Sequence, residues 1–262
     1  MQTILLPVLV LGGLGALFGG LLGIAAKTFK VETDERGEKI EAFLPGANCG
    51  GCGFSGCSAM AKALLKEEAP LTACSVLKEE NAAEIASVLG IEPPTAQARV
   101  ATVLCSGTQE CLGAANHYDG ISDCRAAARY GGEKACLYGC LGYGSCVKAC
   151  SFGAISVIDG VAQVDAEICT GCGACLAACP RELIVLLSKS KRTFVACRSQ
   201  EKGRVTKEIC TAGCIGCGIC EKNCPAGAIT TMNHVASISY ELCQNCGICA
   251  DKCPKKVIQH IM

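Results

Sequence analysis

The sequence predicts an α+β chain with one N-terminal transmembrane helix, a small glycine-rich cysteine module and two tandem cysteine-rich domains. Three observations carry that expectation. No residue from Ile4 to Ala26 is charged, and 25 of the 262 residues are cysteine. Between the cysteines, short apolar stretches are broken by Asp159-Gly160 and Asn233-His234, and Asp-Gly between short strands is a strong hairpin signal. The formal net charge is zero, which argues against nucleic acid as the partner. A cysteine fraction near a tenth means a disulfide scaffold in a short secreted chain. Here the total is odd, and close cysteine triplets are poorly placed to pair with one another.

The triplets repeat. Cys169, Cys172, Cys175 and Cys179 read C-x-x-C-x-x-C-x-x-x-C, closed by Pro180. Cys214, Cys217, Cys220 and Cys224 repeat the spacing with Pro225, and Cys243, Cys246, Cys249 and Cys253 repeat it with Pro254. Cys136, Cys140, Cys146 and Cys150 form a looser first copy, with Ser151 in the proline position. This is the bacterial ferredoxin run, in which three close thiolates hold one [4Fe–4S] cluster and the fourth crosses to its neighbour. Two-residue gaps wrap a tight loop, and glycines within it leave backbone N–H groups free to approach iron and sulfide. Zinc also takes four thiolates, but usually from two separate C-x-x-C knuckles.

Two tandem two-cluster ferredoxin-like domains follow, expected over 136–188 and 189–262. The crossing rule assigns Cys136, Cys140, Cys146 and Cys179 to one cluster, and Cys169, Cys172, Cys175 and Cys150 to the next. In the second domain it groups Cys214, Cys217, Cys220 and Cys253, then Cys243, Cys246, Cys249 and Cys224. The hairpins run from Ala154 to Val164 and from Ile229 to Ile238. Between the domains, Lys189, Lys191 and Arg192 form a basic turn, either simply solvated or facing an acidic partner.

The uncharged run, assigned to residues 1–27, is about 35 Å long as a helix and spans a bilayer. A signal peptide carries its positive charges before the apolar stretch, whereas Lys27 and Lys30 follow this one. The positive-inside rule then puts the N-terminus outside and the cysteine domains in the reducing cytoplasm. Gly15, Gly19 and Gly23 form one ridge, with Gly12, Ala16 and Gly20 beside it. Such ridges let helices pack closely in lipid. A plain anchor gains nothing from glycines that cost helix propensity.

Residues 28–90 form a separate module. After a charged connector, Cys49-Gly-Gly-Cys52-Gly-Phe-Ser-Gly-Cys57 precedes a helix expected from Ser58 to Glu68, and Cys74 lies just beyond Pro70. Cys49, Cys52, Cys57 and Cys74 fit a single cluster, with four-cysteine zinc as the alternative. A glycine-rich membrane helix, this C-G-G-C-G-F-S-G-C loop and tandem ferredoxin runs together resemble the B subunit of the Rnf complex. The resemblance covers essentially the whole chain. It implies an electron-transfer subunit of an inner-membrane ferredoxin:NAD+ oxidoreductase coupled to Na+ or H+ translocation. It also implies membrane-embedded sister subunits, soluble ferredoxin as partner, and at least five [4Fe–4S] clusters on the cysteines named above. The chain departs from the shorter proteobacterial pattern by a second ferredoxin-like pair. A membrane-anchored polyferredoxin of a hydrogenase or other reductase is the alternative, against which the first 75 residues speak.

The stretch 91–135 reads as a linker with a strand over Val100–Leu104 and a short helix through Arg129, capped by Ser122. Cys105, Cys111, Cys124, Cys197 and Cys210 are left over. They fit either a further cluster or spare buried thiols, and Cys210 is a possible replacement for Cys214. No G-x-G-x-x-G stands between a strand and a helix, so nothing suggests dinucleotide binding. His117, His234 and His260 show no ligand spacing, and no nucleophile or acid–base constellation is visible. The chain is expected to carry electrons and to make no bonds of its own.

Overall fold

A computed structural model describes residues 2–28, 34–93, 98–111, 113, 117–191 and 193–260. Helix α1 (Gln2–Thr28) is 27 residues long, with side chains described only over residues 11–25. Among the described residues, no helix is long and apolar enough to cross a membrane.

Three helices build the next unit: α2 (Glu35–Phe43), α3 (Cys57–Leu65) and α4 (Glu79–Leu89). Their apolar residues recur at helical spacing, so Ile40, Met60, Leu64, Ile85 and Ala86 meet in one core with Leu71. Asp34 caps α2 by accepting the Arg36 N–H, and Gly90 ends α4 in the left-handed conformation. Asn81 Nδ2 donates to the Phe43 carbonyl at 2.8 Å, tying α4 to the end of α2. Helix α3 begins at Cys57, one residue before the expected start at Ser58, a residue type that commonly caps helices. Asn48, nine residues upstream, accepts the Cys57 N–H at 2.8 Å. The cap therefore comes from the cysteine loop, which locks loop and helix together.

The remaining chain is two copies of one pattern. In the first, β1 (Arg99–Val103) pairs antiparallel with β4 (Ile184–Ser188), and β2 (Ile155–Ile158) with β3 (Val161–Val164). In the second, β5 (Thr193–Val195) pairs with β8 (Ile258–His260), and β6 (Ile229–Met232) with β7 (Val235–Ile238). Both hairpin turns put two residues at positive φ, Asp159-Gly160 and Asn233-His234, the two-residue geometry that matches strand twist. The short helices are α5 (Cys124–Ala128), α6 (Ser145–Lys148), α7 (Ala174–Ala178), α8 (Gly203–Ile209), α9 (Ile219–Lys222) and α10 (Ile248–Lys252).

Strand β1 lies in the stretch read as linker, yet it completes the sheet of the first ferredoxin-like unit. Helix α5 is capped by Asp123, which accepts the Arg125 and Ala126 N–H groups, rather than by Ser122. Lys191 Nζ donates to the Cys243 carbonyl at 2.7 Å, so this turn lysine is committed to the second unit. Arg192 lies outside the described residues.

Candidate metal centres

The cysteine loops close on themselves because the backbone is allowed to come very near. Gly216 sits at φ +63, and a Cβ there would stand 2.8 Å from the His234 carbonyl oxygen. The hairpin turn thus backs directly onto the loop that carries Cys214 and Cys217. The loop between Cys140 and Cys146 lies against the other hairpin in the same way, at Gly160.

Four cavities of nearly equal size are each ringed by four cysteines. Cys49, Cys52, Cys57 and Cys74 line one. Cys214, Cys217, Cys220 and Cys253 line another, the grouping the crossing rule requires. The other two depart from expectation. Cys140, Cys146 and Cys179 share their cavity with Cys124. Cys136 lines a different cavity with Cys105, Cys197 and Cys210.

The cause is visible in the loop. Counting back from Cys150 in the regular spacing gives Cys146, Tyr143 and Cys140, so a tyrosine holds the second ligand position. Its ring leaves the cavity and packs edge-on against Tyr118 at 5.4 Å. Helix α5 brings Cys124 into the vacated place. Ser145 Oγ accepts the Cys124 N–H and donates to Asp123, each at 2.8 Å. That Ser145 hydroxyl, ahead of the backbone N–H groups, holds the Asp123 carboxyl below its ordinary range. The tyrosine is readable in the sequence, whereas its replacement, upstream of the whole run, is not.

Cys169, Cys175 and Cys150 pack in one apolar core with Cys146 and Cys179, and Cys169 and Cys172 act electrostatically on Cys175. Cys224 and Cys243 act in the same way on Cys249, again the crossed arrangement. Cys217 and Cys246 are exposed.

The residues present fit a multinuclear cluster. Four thiols ring each of the four cavities, and an all-thiolate set with backbone N–H groups aimed at the sulfurs is the donor set that [4Fe–4S] clusters take. Backbone N–H groups point at the sulfurs: Ala101 to Cys169, Leu183 to Cys179 and Asn245 to Cys243, each at 3.4 Å, and Ala228 to Cys224 at 3.3 Å. Such bonds favour thiolate and tune cluster potential. Burial, then neighbouring sulfurs, pushes Cys146 and Cys220 up to about 11 and Cys175 to about 12. Burial thus favours the protonated thiols, and a cluster bound there would have to displace their protons.

The helical module abuts the first ferredoxin-like unit. A Cβ on Gly51 would lie 2.7 Å from the Cys172 carbonyl oxygen, so the loops of two quartets touch. His260 Nδ1 pairs with Thr193 Oγ1 at 2.7 Å, a bond within the β5–β8 sheet and outside the cavities.

Fold and quartets together define an iron–sulfur electron-transfer protein of tandem-ferredoxin type. An Fe-S cluster family matches residues 44–76, and 4Fe-4S dicluster domains match residues 168–229 and 213–258. The 168–229 match joins the last run of one unit to the first run of the next, whereas the Cys140–Cys179 and Cys214–Cys253 cavities join runs within a unit. The chain is 45% identical over 246 residues to the B subunit of the Na(+)-translocating ferredoxin:NAD(+) oxidoreductase complex of Acetobacterium woodii, covering 93% of this chain and 74% of that one. It is 42% identical to the B subunit of the ion-translocating oxidoreductase complex of Methanosarcina acetivorans, over 99% of both chains. A third relative is the B subunit of the proton-translocating ferredoxin:NAD(+) oxidoreductase complex of Clostridium ljungdahlii, 39% identical over 93% of this chain and 87% of that one. The chain belongs to the family formed by the B subunits of ion-translocating oxidoreductase complexes, the Rnf family.

Proposed function

We propose that this chain relays electrons between soluble ferredoxin and membrane-embedded sister subunits of an ion-translocating ferredoxin:NAD+ oxidoreductase. The observation that carries the reading is the contact between successive cysteine quartets, beginning where Gly51 meets Cys172. Bound [4Fe–4S] clusters would supply the one-electron centres. The chain's own part is to supply thiolates, hold them apart at fixed spacing and exclude water. Ligands for at least five clusters are assigned: the Cys49 quartet, the Cys214 quartet, Cys140, Cys146 and Cys179 with Cys124, Cys169, Cys172, Cys175 with Cys150, and Cys243, Cys246, Cys249 with Cys224. The exposed Cys217 and Cys246 make the second unit the side that a soluble donor reaches. Anaerobically purified protein should hold at least about 20 iron atoms per chain, at four per cluster. Twelve or fewer in fully loaded protein, or failure of reduced ferredoxin to reduce it, sinks the reading.

Helix α1 is assigned as the membrane span, with its N-terminus outside and the clusters in the cytoplasm. Leu11 and Leu22 are 71% and 70% exposed, and nothing lies within 4 Å of a Cβ placed at Gly15, Gly19 or Gly23. Leucine at all three therefore meets no obstacle within this chain and inserts into lipid at least as well as glycine. It should nonetheless detach the chain from its sister subunits, because bulk on the ridge holds helices apart. Iron content should not change. Undiminished co-purification in mild detergent would reduce α1 to a plain anchor.

A further inference from the structure

We infer that Cys105, Cys136, Cys197 and Cys210 hold a further [4Fe–4S] cluster that joins the two ferredoxin-like units. The inference rests on the iron–sulfur reading above and adds a quartet that no single cysteine run or matched domain contains.

The four residues come as two equivalent pairs, one from each copy of the pattern. Cys105 stands two residues after β1, and Cys197 stands two after β5. Cys136 precedes Cys140 by four, and Cys210 precedes Cys214 by four, each within C-x-x-G-C-x-G. The neighbours in the cavity wall match as well, Leu104 with Ala196 and Gly139 with Gly213. Each copy hangs its strand end in the same way. Leu104 N–H donates to the Leu183 carbonyl at 2.7 Å and Ala196 N–H to the Val257 carbonyl at 2.8 Å. A cross-tie from the Ser106 N–H to the Ala196 carbonyl, 3.1 Å, then holds the halves together. Neither unit has more than two of the four thiols, so the site exists only where the copies meet.

The chemistry matches the motif quartets. The cavity has their size and four-thiol lining, and the four residues are not paired as disulfides. Two of the sulfurs accept backbone N–H groups at 3.4 Å, Cys105 from Cys140 and Cys197 from Cys214. Those donors belong to ligands of the quartets on either side. A cluster here therefore has a hydrogen-bonded path to each neighbour. Merely buried thiols have no reason to gather in fours with their sulfurs facing polar hydrogens. With this quartet assigned, Cys111 alone remains outside, its sulfur accepting from the Thr108 hydroxyl at 3.2 Å.

On assembly the four thiols would lose their protons to water, and their thiolates would displace the four terminal ligands of a [4Fe–4S]2+ cube delivered by the cell's assembly machinery, so that four iron–sulfur bonds form as four break. Held there, the group would supply a one-electron 2+/1+ couple between the clusters on either side. The test uses the full chain purified anaerobically from cells with intact cluster assembly. Native mass spectrometry of the wild type should show six [4Fe–4S] increments. Cys197→Ala with Cys210→Ala, and separately Cys105→Ala with Cys136→Ala, should each lower iron and sulfide by about four per chain. Cys111→Ala should lose none. Wild-type protein with five increments, five increments plus one zinc ion, or double variants that keep wild-type iron would overturn the site. If a double variant fails to fold, the wild-type mass still decides between six and five. Protein with no clusters at all would instead sink the electron-transfer reading as a whole.

Discussion

Cys124→Ala should destroy or truncate one cluster, and adding Tyr143→Cys should restore it. Cys124 lies outside every recognisable run but lines the cavity of Cys140, Cys146 and Cys179. With three ligands left, the site either empties, losing about four irons, or keeps a three-iron remnant that is paramagnetic when oxidised. Tyr143 occupies the backbone position that Cys172 and Cys217 hold in the regular runs. A thiol there reaches the cavity from within the loop, as theirs do, so the double variant should regain the iron and lose any three-iron signal. Cys179→Ser should damage the same site and spare Cys169, Cys172, Cys175 and Cys150. Loss confined to that neighbouring set, or wild-type iron in Cys124→Ala, would show that Cys124 is only a buried thiol.

Arg181→Met should both weaken the fold and lower reduction potentials. Arg181 follows Cys179-Pro180, as Lys255 follows Cys253-Pro254. Its guanidinium donates to the carbonyls of Cys136 at 2.9 Å, Gly139 at 2.6 Å and Gly131 at 2.8 Å. Charged hydrogen bonds contribute about 1.5–3 kcal/mol each and do not add fully, so a loss of about 3–5 kcal/mol is expected. Arg181 lines the cavity of Cys140, Cys146 and Cys179 while bonding the Cys136 carbonyl, and its charge acts on Cys136, Cys140, Cys105 and Cys179, so the cation stands between the loops of two quartets. A unit charge at about 8 Å with an effective dielectric of 20 contributes about 2 kcal/mol, or roughly 90 mV for one electron. Solvent at this half-buried position cuts that to the order of 50 mV. Redox titration followed by EPR should show the drop in one or two clusters, and Arg181→Lys should keep most of the potential while losing the fork. Unchanged potentials in Arg181→Met would leave the arginine a purely structural clamp.

The regular runs are legible because their ligands are local. Two-residue spacing, a closing proline and glycines at the turns dictate one loop geometry wherever they occur, and the hairpins Ile155–Val164 and Ile229–Ile238 follow from turn chemistry of the same short range. The helical module is legible for a similar reason, since Gly90, which ends α4 in the left-handed conformation, is a local signal. Its cap is not, because Asn48 reaches Cys57 from a loop nine residues away, outside the window in which Ser58 looks sufficient.

The first run shows where local reading stops. Spacing alone assigns Cys136 to Cys140, Cys146 and Cys179, since it is the nearest upstream thiol. The tertiary structure sends Cys136 to the junction and brings Cys124 in on α5. That exchange depends on Asp123, Ser145 and the Tyr143–Tyr118 contact, none of which is a cysteine. Strand β1 is recognisable as a strand, but its partner β4 lies about eighty residues on, and only that pairing puts Cys105 opposite Cys197. The sequence by itself determined the chemistry of the chain, because soft thiolates at fixed short spacing admit few cofactors. Which thiols share a cavity was decided by folding, because the junction quartet is assembled across two repeats whose mutual packing no local pattern encodes.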